Sequence, residues 1–257
     1  MRVAVITGAG RGIGRRTAEI LAQRGYSLAL NDLRTPSETI ASVSAAGAEV
    51  LEILGDVSDE TAVSRMAESV VERFGRADVL VNNAGISCIK RAEDLTSAEW
   101  RRVMDVNLLG PFLCSQAFGR SMLRQRSGSI VNVASVAGLL GVAERSAYNA
   151  SKHGLVGLTR TLAAEWGGRG VRCNAVCPGW VKTPMDSSAQ DEGHYSDTDI
   201  TNRIPMARFA SPEDIAQAIA FLADPALSGF VNGHMLNVDG GWCADGSWDT
   251  LRLKQRS

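Results

Sequence analysis

An α/β class, a doubly wound parallel sheet of about seven strands with helices on both faces, is what this sequence predicts, and three observations predict it. Short apolar runs alternate with longer amphipathic ones along the chain, the rhythm of successive strand and helix units. Several short runs are apolar throughout, as parallel strands covered on both faces require. A glycine-rich turn joins the first run to the first helix, and no linker-like stretch interrupts the pattern. Residues 1–257 therefore read as one domain: a cofactor half to about residue 135, a catalytic and substrate half from 136 to 241, and a tail from 242 to 257.

In chain order, the strand candidates are 3–7, 27–31, 49–54, 79–82, 130–134, 171–176 and 235–238. Helix candidates lie near 12–24, 36–46, 59–74, 97–126, 147–167 and 212–223. Asp59 suits a helix cap, and Ser211-Pro212-Glu213 puts a cap and a first-turn proline before the last of them. Right-handed crossovers between the parallel strands follow from this order.

Composition sets bounds on function. A net charge of −1 and the lack of like-charge blocks give nucleic acid and membrane surfaces no footing. The chain has no apolar run near 18 residues, and its first strand candidate starts at Val3, which predicts a cytoplasmic protein without a leader or membrane span. Five cysteines with no Cys-x-x-Cys pair suit free thiols in a reducing compartment. No histidine accompanies Cys173 and Cys177, so no metal is expected.

The glycine turn is Thr7-Gly8-Ala9-Gly10-Arg11-Gly12-Ile13-Gly14. Its glycines let the chain turn sharply and let backbone N–H groups approach a pyrophosphate, while the following helix N-terminus favours negative charge. The spacing Gly8-x-x-x-Gly12-x-Gly14 departs from the G-x-G-x-x-G dinucleotide pattern, but its strand-loop-helix context is that of a nucleotide site. Eighteen residues after Gly14, Asp32 closes the second strand candidate. A carboxylate there accepts hydrogen bonds from ribose hydroxyls and repels the extra phosphate of NADP, which favours NAD. Arg11 and Arg34 weigh on the other side, because a basic side chain tolerates that phosphate.

Tyr148 and Lys152 are four residues apart, so on a helix they share a face. A nearby cation favours the phenolate and brings a tyrosine of ordinary pKa about 10 toward use as an acid or base. Tyr-x-x-x-Lys alone also describes many helices with a half-buried tyrosine and a solvated lysine. Ser135 follows the apolar run ending at Ala134, at the carboxyl end of a strand, where open α/β sheets place their ligands. Its hydroxyl is placed to hold a substrate oxygen while Tyr148 moves the proton.

With these residues in order, the chain resembles the short-chain dehydrogenase/reductase family over essentially its whole length. The resemblance is carried by Thr7-Gly8-x-x-x-Gly12-x-Gly14, Asn82-Asn83-Ala84-Gly85, Asn107, Ser135, Tyr148-x-x-x-Lys152, Pro178-Gly179 and Asn237-Val238-Asp239-Gly240-Gly241. It implies a Rossmann-like cofactor site and catalysis by Asn107, Ser135, Tyr148 and Lys152. Asn107 would anchor, through carbonyl or amide, a water linking Lys152 to solvent. The cofactor is implied to meet Gly8, Arg11, Gly12, Ile13 and Gly14 at the turn, Asp32 at the ribose, Asp56 and Val57 at adenine, and Asn83, Ala84 and Gly85 beside them. Tyr148, Lys152, Pro178, Gly179, Val181 and Thr183 would hold the nicotinamide end.

The resemblance further implies an NAD-dependent oxidoreductase interconverting a secondary alcohol and a ketone without a metal. The segment expected to cover the substrate, 185–205, carries Asp186, Asp191, Glu192, His194, Tyr195, Asp197 and Asp199, which suits a sugar, polyol or sugar acid. Gly141-Val142-Ala143-Glu144-Arg145 forms another wall, with Glu144 or Arg145 facing a polar group. A 3-oxoacyl-thioester reductase is the alternative, since Arg126 and Arg169 resemble positions that bind acyl carrier protein; a non-catalytic dinucleotide-binding protein is a third reading. The expected assembly is a homotetramer or homodimer, with the last strand and the 97–126 and 147–167 helices at the contacts. Trp242, Trp248 and Leu251 in the tail need cover, from a neighbouring subunit or from the same chain.

Overall fold

Seven strands, β1 (Arg2–Thr7), β2 (Tyr26–Asp32), β3 (Val50–Leu54), β4 (Val79–Asn82), β5 (Gly128–Val133), β6 (Val171–Pro178) and β7 (Met235–Val238), pair in parallel in the order β3-β2-β1-β4-β5-β6-β7. The structure is a computed structural model that describes residues 2–182 and 196–254. All seven predicted strands are present, with some ends moved by one or two residues. β1 to β6 alternate with helices α1 (Gly12–Gln23), α2 (Ser37–Ala45), α3 (Glu60–Phe74), α4 (Ser97–Met104), α5 (Gly110–Gln125) and α6 (Ser146–Trp166). Beyond β6 come α7 (Asp197–Arg203), α8 (Pro212–Ala223), the single turn α9 (Pro225–Ser228) and, after β7, α10 (Asp249–Lys254).

Successive side chains of a strand point to opposite faces, and here both faces are dry. Ile6, Leu28, Leu30, Val81 and Val131 enter one core with Ile20, Leu21, Ile215 and Ile219 of α1 and α8. Val3, Val5, Leu80 and Ile130 enter the other with Met66 of α3, Phe118 and Met122 of α5 and Leu162 of α6. The edge strands β3 and β7 are only half covered.

The predicted helix starts are built as their chemistry requires. Asp59 caps α3 by accepting from Thr61 N at 2.8 Å and Ala62 N at 3.2 Å. Ser211 and Asp214 form a reciprocal capping box on α8, with Pro212 in its first turn.

The 97–126 helix is interrupted. Between α4 and α5 the chain widens into a π-helical turn, Asp105–Leu109. Pro111 has no N–H to give the carbonyl of Asn107 four residues back, so an unbroken α-helical ladder cannot run through this point. Asn107, at the centre of the turn, is fully buried.

The tail folds onto its own chain, with α10 packed against α7. Trp242 is covered by Trp180, ring centroids 6.1 Å apart, and by the Arg203 guanidinium 4.8 Å from its ring centre. Leu251 is half-buried, whereas Trp248 stays 70% exposed. Cys173 and Cys177 both lie buried within β6.

A buried polar chain ties the layers together. Asn82 Nδ2 donates to Asn132 Oδ1 at 2.8 Å and Ser115 Oγ at 3.1 Å, and Asn132 Nδ2 donates to Thr159 Oγ1 at 2.9 Å, joining β4, β5, α5 and α6. Removing the central group strands its partners away from water. Asn132→Ala is expected to lower unfolding free energy by about 2–4 kcal/mol in urea with an unchanged m-value; a loss below about 0.5 kcal/mol would mean the chain is not structural.

Candidate active site

A cleft of about 370 Å³ opens at the carboxyl ends of the strands, where the sheet order reverses between β1 and β4. At its centre is the glycine turn. Gly8 has φ +64°, a left-handed conformation suited to glycine, and a Cβ on Gly14 would stand 2.1 Å from the Gly8 carbonyl oxygen. Gly14 is thus the point of helix-strand contact behind the cleft, while Gly8, Arg11, Gly12 and Ile13 line it. α1 has no side-chain cap and no acid in its first turn, which leaves its leading N–H groups for an anion.

At one end Asp32 closes β2. Its Oδ2 accepts from Gly10 N and its Oδ1 from Leu33 N, both at 2.8 Å, which holds the carboxylate at the cleft wall with acceptor capacity to spare. Asp56 is differently engaged than expected. Ser58 N at 2.9 Å, Ser58 Oγ at 2.7 Å and Arg102 Nη2 at 2.7 Å all donate to it. These bonds prevail over burial and hold its carboxyl below the ordinary range. Arg102, which also lines the cleft, was not legible in the sequence, since nothing local connects it to an acid 46 positions away. Val57 lines the cleft and packs on Gly110, whose added Cβ would meet it at 2.8 Å.

Asn83, Ala84 and Gly85 line the cleft directly beside the glycine turn. The Asn83 side chain is a brace: its Nδ2 donates to Thr7 O at 3.0 Å and Gly8 O at 2.9 Å. Thr7 Oγ1 accepts from the Asn83 and Ala84 amides, both at 3.1 Å.

The other end gathers Ser135, Tyr148 and Lys152. Ser135 stands just beyond β5, its Oγ accepting from Ala137 N at 3.1 Å. Lys152 is buried, and its Nζ donates to Val133 O at 2.8 Å, 5.5 Å from the centre of the Tyr148 ring. Burial lowers its pKa to about 8. The expectation that Lys152 draws the Tyr148 pKa down is not met: burial raises the phenol above its ordinary value, opposed by a hydrogen bond from Ser135 and the charge of Arg145. Lys152 is turned to the strand carbonyl, so Arg145 and Ser135 are the groups that act on the phenol.

Asn107 lies behind the cleft. Its Oδ1 accepts from Ile86 N and its Nδ2 donates to Ile86 O, both at 2.8 Å, with Ser151 Oγ at 3.2 Å. The side-chain amide is therefore occupied, which leaves the main-chain carbonyl for any water relay. An added Cβ on Gly85 would lie 3.3 Å from Asn107 Oδ1 and 3.7 Å from Lys152 Nζ, so the three positions adjoin.

Pro178, Gly179 and Val181 line the cleft with Trp180, whose place between two predicted residues could have flagged it. Arg145 lines it too, 5.3 Å from the Trp180 ring centre, whereas Glu144 does not. Thr183 and Asp186, Asp191, Glu192, His194 and Tyr195 of the expected cover lie outside the described residues. Asp197 pairs with Lys182 at 2.6 Å and Asp199 serves the capping box of α7, so these two acids have structural partners. Arg126 and Arg169 precede β5 and β6, at the opposite edge of the sheet from the cleft. Among the described residues no three His, Cys, Asp or Glu side chains come together to hold a metal ion.

Comparison with known proteins places these features in company. A family model described as Enoyl-(Acyl carrier protein) reductase matches residues 8–243. The 3-oxoacyl-[acyl-carrier-protein] reductase of Synechocystis sp. is 38% identical over 243 residues, 93% of this chain and 96% of its own. Cis-4-hydroxycyclohexanecarboxylate dehydrogenase of Sinomonas cyclohexanicum is 41% identical over 245 residues, 95% of this chain and 97% of its own. A crystal structure from Beutenbergia cavernae, provisionally described as an NAD(P) dependent gluconate 5-dehydrogenase and carrying NADP at low occupancy, superposes with a TM-score of 0.89. It is 40% identical, with 95% of this chain and 97% of that one covered.

Burying the Lys152 ammonium costs stability, and the sign can be tested. Its folded pKa, about 8, lies below the reference 10.5, so the unfolded chain binds the proton more readily. The cost is full below about pH 8, falls as pH rises and is gone above about pH 10.5. Lys152→Met is expected to be more stable than the parent at pH 7, by on the order of 2–3 kcal/mol, with the gap closing toward pH 10. Denaturant unfolding at both pH values checks it; a variant less stable at pH 7 would mean that the Val133 bond outweighs desolvation.

Proposed function

The chain belongs to the short-chain dehydrogenase/reductase family, NAD(P)-dependent oxidoreductases acting on CH–OH groups, and on that premise we propose that it interconverts a secondary alcohol and a ketone on a sugar, polyol or sugar acid with NAD. The observation that carries this reading is the convergence of Ser135, Tyr148 and Lys152 at one end of a cleft whose other end presents Asp32.

The cleft suits a dinucleotide, since Gly8 of the turn and Gly12 and Ile13 of the uncapped start of α1 line it together with Asp32. Gly8, Arg11, Gly12, Ile13, Val57, Ala84, Gly85, Pro178, Gly179 and Val181 would hold it, with Asp32 on the adenosine ribose. A nicotinamide held there would supply the hydride acceptor for oxidation and the donor for reduction. Tyr148 gives its proton to the carbonyl oxygen in reduction; in oxidation it first loses that proton to the water relay and then takes one from the alcohol oxygen. Ser135 hydrogen-bonds that oxygen. Lys152, fixed to Val133 O, keeps a positive charge beside the Tyr148 ring, and the main-chain carbonyl of Asn107 passes protons by way of water. The polar groups around the reacting end, Ser87, Ser135 and Arg145, and the flat face of Trp180 suit a hydroxylated substrate.

The Synechocystis relative favours a second reading, reduction of a 3-oxoacyl thioester. Arg126 and Arg169 give it little help within one chain, because they stand at the far edge of the sheet. The proposed assembly, a homotetramer or homodimer of one-domain chains, is supported by Leu109 and Phe112, each 40% exposed on the α4–α5 segment, and by the fully exposed Phe230 near edge strand β7. A cytoplasmic site of action is proposed on the five free cysteines.

Absorbance of reduced nicotinamide, followed with NAD or NADP and a panel of polyols, sugar acids and 3-hydroxyacyl thioesters, tests the reading. Turnover of a polyhydroxylated substrate with NAD is expected, and activity confined to thioesters with NADP would overturn it. Tyr148→Phe is expected to fold and bind NAD while losing nearly all turnover; a variant keeping a tenth of the parental rate would remove Tyr148 from its role. Asp32→Ser is expected to shift the NAD over NADP preference, as a ratio of kcat/KM, by about tenfold or more toward NADP. An unchanged ratio would mean that Asp32 does not read the ribose.

A further inference from the structure

At the Asp32 end of the cleft three side chains close a ring of hydrogen bonds. Arg102, in the last turn of α4, donates from Nη2 to Asp56 Oδ2 at 2.7 Å and from Nη1 to Ser58 Oγ at 2.9 Å. The Ser58 hydroxyl donates in turn to Asp56 Oδ1 at 2.7 Å, beside the Ser58 amide at 2.9 Å. A hydroxyl has one hydrogen, so a Ser58 oxygen that accepts from Arg102 has that hydrogen committed to Asp56. The Arg102 side chain is 47% exposed and that of Asp56 31%, and an ion pair this open contributes little to folding. Both residues line the cleft, which points to a role toward whatever fills it.

We propose that Arg102 is a positioning residue for the base of the cofactor: it fixes the Asp56 carboxylate so that the site accepts a 6-amino purine and discriminates against a 6-oxo one. This rests on the dinucleotide reading above and adds to it a residue that acts through another. Acceptor capacity is the first argument. A carboxylate offers about four acceptor positions; Ser58 takes two on Oδ1 and Arg102 takes one on Oδ2. What is left belongs to Oδ2. Burial opposes ionisation, but the bonds from Ser58 and Arg102 prevail and hold the Asp56 carboxyl below the ordinary range. An ionised carboxylate only accepts, so it favours an amino edge and sets a carbonyl edge against a negative charge.

Geometry is the second argument. Ser58 alone holds one oxygen of Asp56 and leaves the carboxylate free to pivot; Arg102 fixes the other oxygen with one arm and Ser58 with the second. A planar fork does both at once, which a lysine cannot. The fork is delivered by a helix that is itself anchored, since Thr96 and Glu99 form a reciprocal capping box at the start of α4. Val106, four residues beyond Arg102, is buried and lines the same cleft. Leu33 and Val57 line it as well, and the exposed side chain of Leu33 is apolar surface that a flat ring beside Asp56 would cover. Arg102 also neutralises Asp56 locally, an effect that any dinucleotide feels alike whatever its base.

Titration with NAD and with nicotinamide hypoxanthine dinucleotide, in which an oxo group replaces the 6-amino group, separates the two effects. The parent is expected to bind NAD at least about tenfold more tightly, the worth of one hydrogen bond to a charged group. Arg102→Met keeps the stem and is expected to weaken both dinucleotides while bringing their ratio toward one. Arg102→Lys, with the charge but no fork, is expected to recover overall affinity without the ratio. Asp56→Asn is expected to lose the ratio as well. Each variant is expected to keep the parental midpoint in urea, which separates a binding effect from a folding one. A parental ratio near one, a preference for the hypoxanthine dinucleotide, a ratio that survives in Arg102→Met or Asp56→Asn, or a full ratio in Arg102→Lys would each overturn the proposal. Alcohol turnover with NAD then reads the two ideas apart. A parental ratio near one with turnover intact removes the role of Arg102 and leaves the oxidoreductase standing; a ratio that collapses in Arg102→Met, in a chain that oxidises no alcohol, sustains the role of Arg102 and removes the oxidoreductase reading.

Discussion

The reversal of strand order between β1 and β4 is the constraint on which the rest of this molecule depends. Right-handed crossovers from β1 through β2 to β3 run one way, and those from β4 through β5 and β6 to β7 run the other. The helices of the two series therefore diverge at the carboxyl ends of the central strands, and the gap cannot be filled by either. Everything chemical in the chain collects around that gap: the glycine turn after β1, Asp32 after β2, Asp56 after β3, Asn83 to Gly85 after β4, Ser135 after β5 and Pro178 to Val181 at the end of β6.

Holding polar groups at such a place costs stability that the cores must supply. Lys152 is buried with a carbonyl for company, burial pushes the Tyr148 phenol's pKa up, and Asn107 sits in a π-helical turn imposed in part by Pro111. Each is compensated locally. Val133 O takes the ammonium, Ile86 satisfies both ends of the Asn107 amide, and the Asn82–Asn132–Thr159 chain locks α5 and α6 to the strands that carry the site. Close approach does the remaining work: a Cβ at Gly138 would lie 2.8 Å from the Lys152 carbonyl, so the turn after Ser135 rests directly on α6.

At the Tyr148 end of the cleft the wall is a stack running into the tail. Arg145, Trp180, Trp242 and Arg203 follow one another, and Arg203 and Arg252 both face Asp245. Residues beyond β7 thus bear on the position of Trp180 from behind. Their burial by their own chain accounts for Trp242 and Leu251, and only Trp248 remains in the open.

What the sequence determined by itself is whatever short-range spacing encodes. Apolar runs set the seven strands, capping residues set the starts of α3 and α8, and i, i+4 spacing put Tyr148 and Lys152 on one helical face. Strand ends are ligand positions in a parallel sheet, which made Asp32 and Ser135 readable before any coordinates. Tertiary structure alone decided which partners those groups take. Asp56 goes to Arg102, Asn83 to the glycine turn, Lys152 to Val133 O, and Arg145 to the face of Trp180. Most of these pairings join residues tens of positions apart, brought together by crossovers that no local period records; the Lys152 bond turns on how α6 lies against β5, and the charge that acts on Tyr148 comes from Arg145, placed by a turn whose positive φ at Glu144 is set by its contact with Lys90.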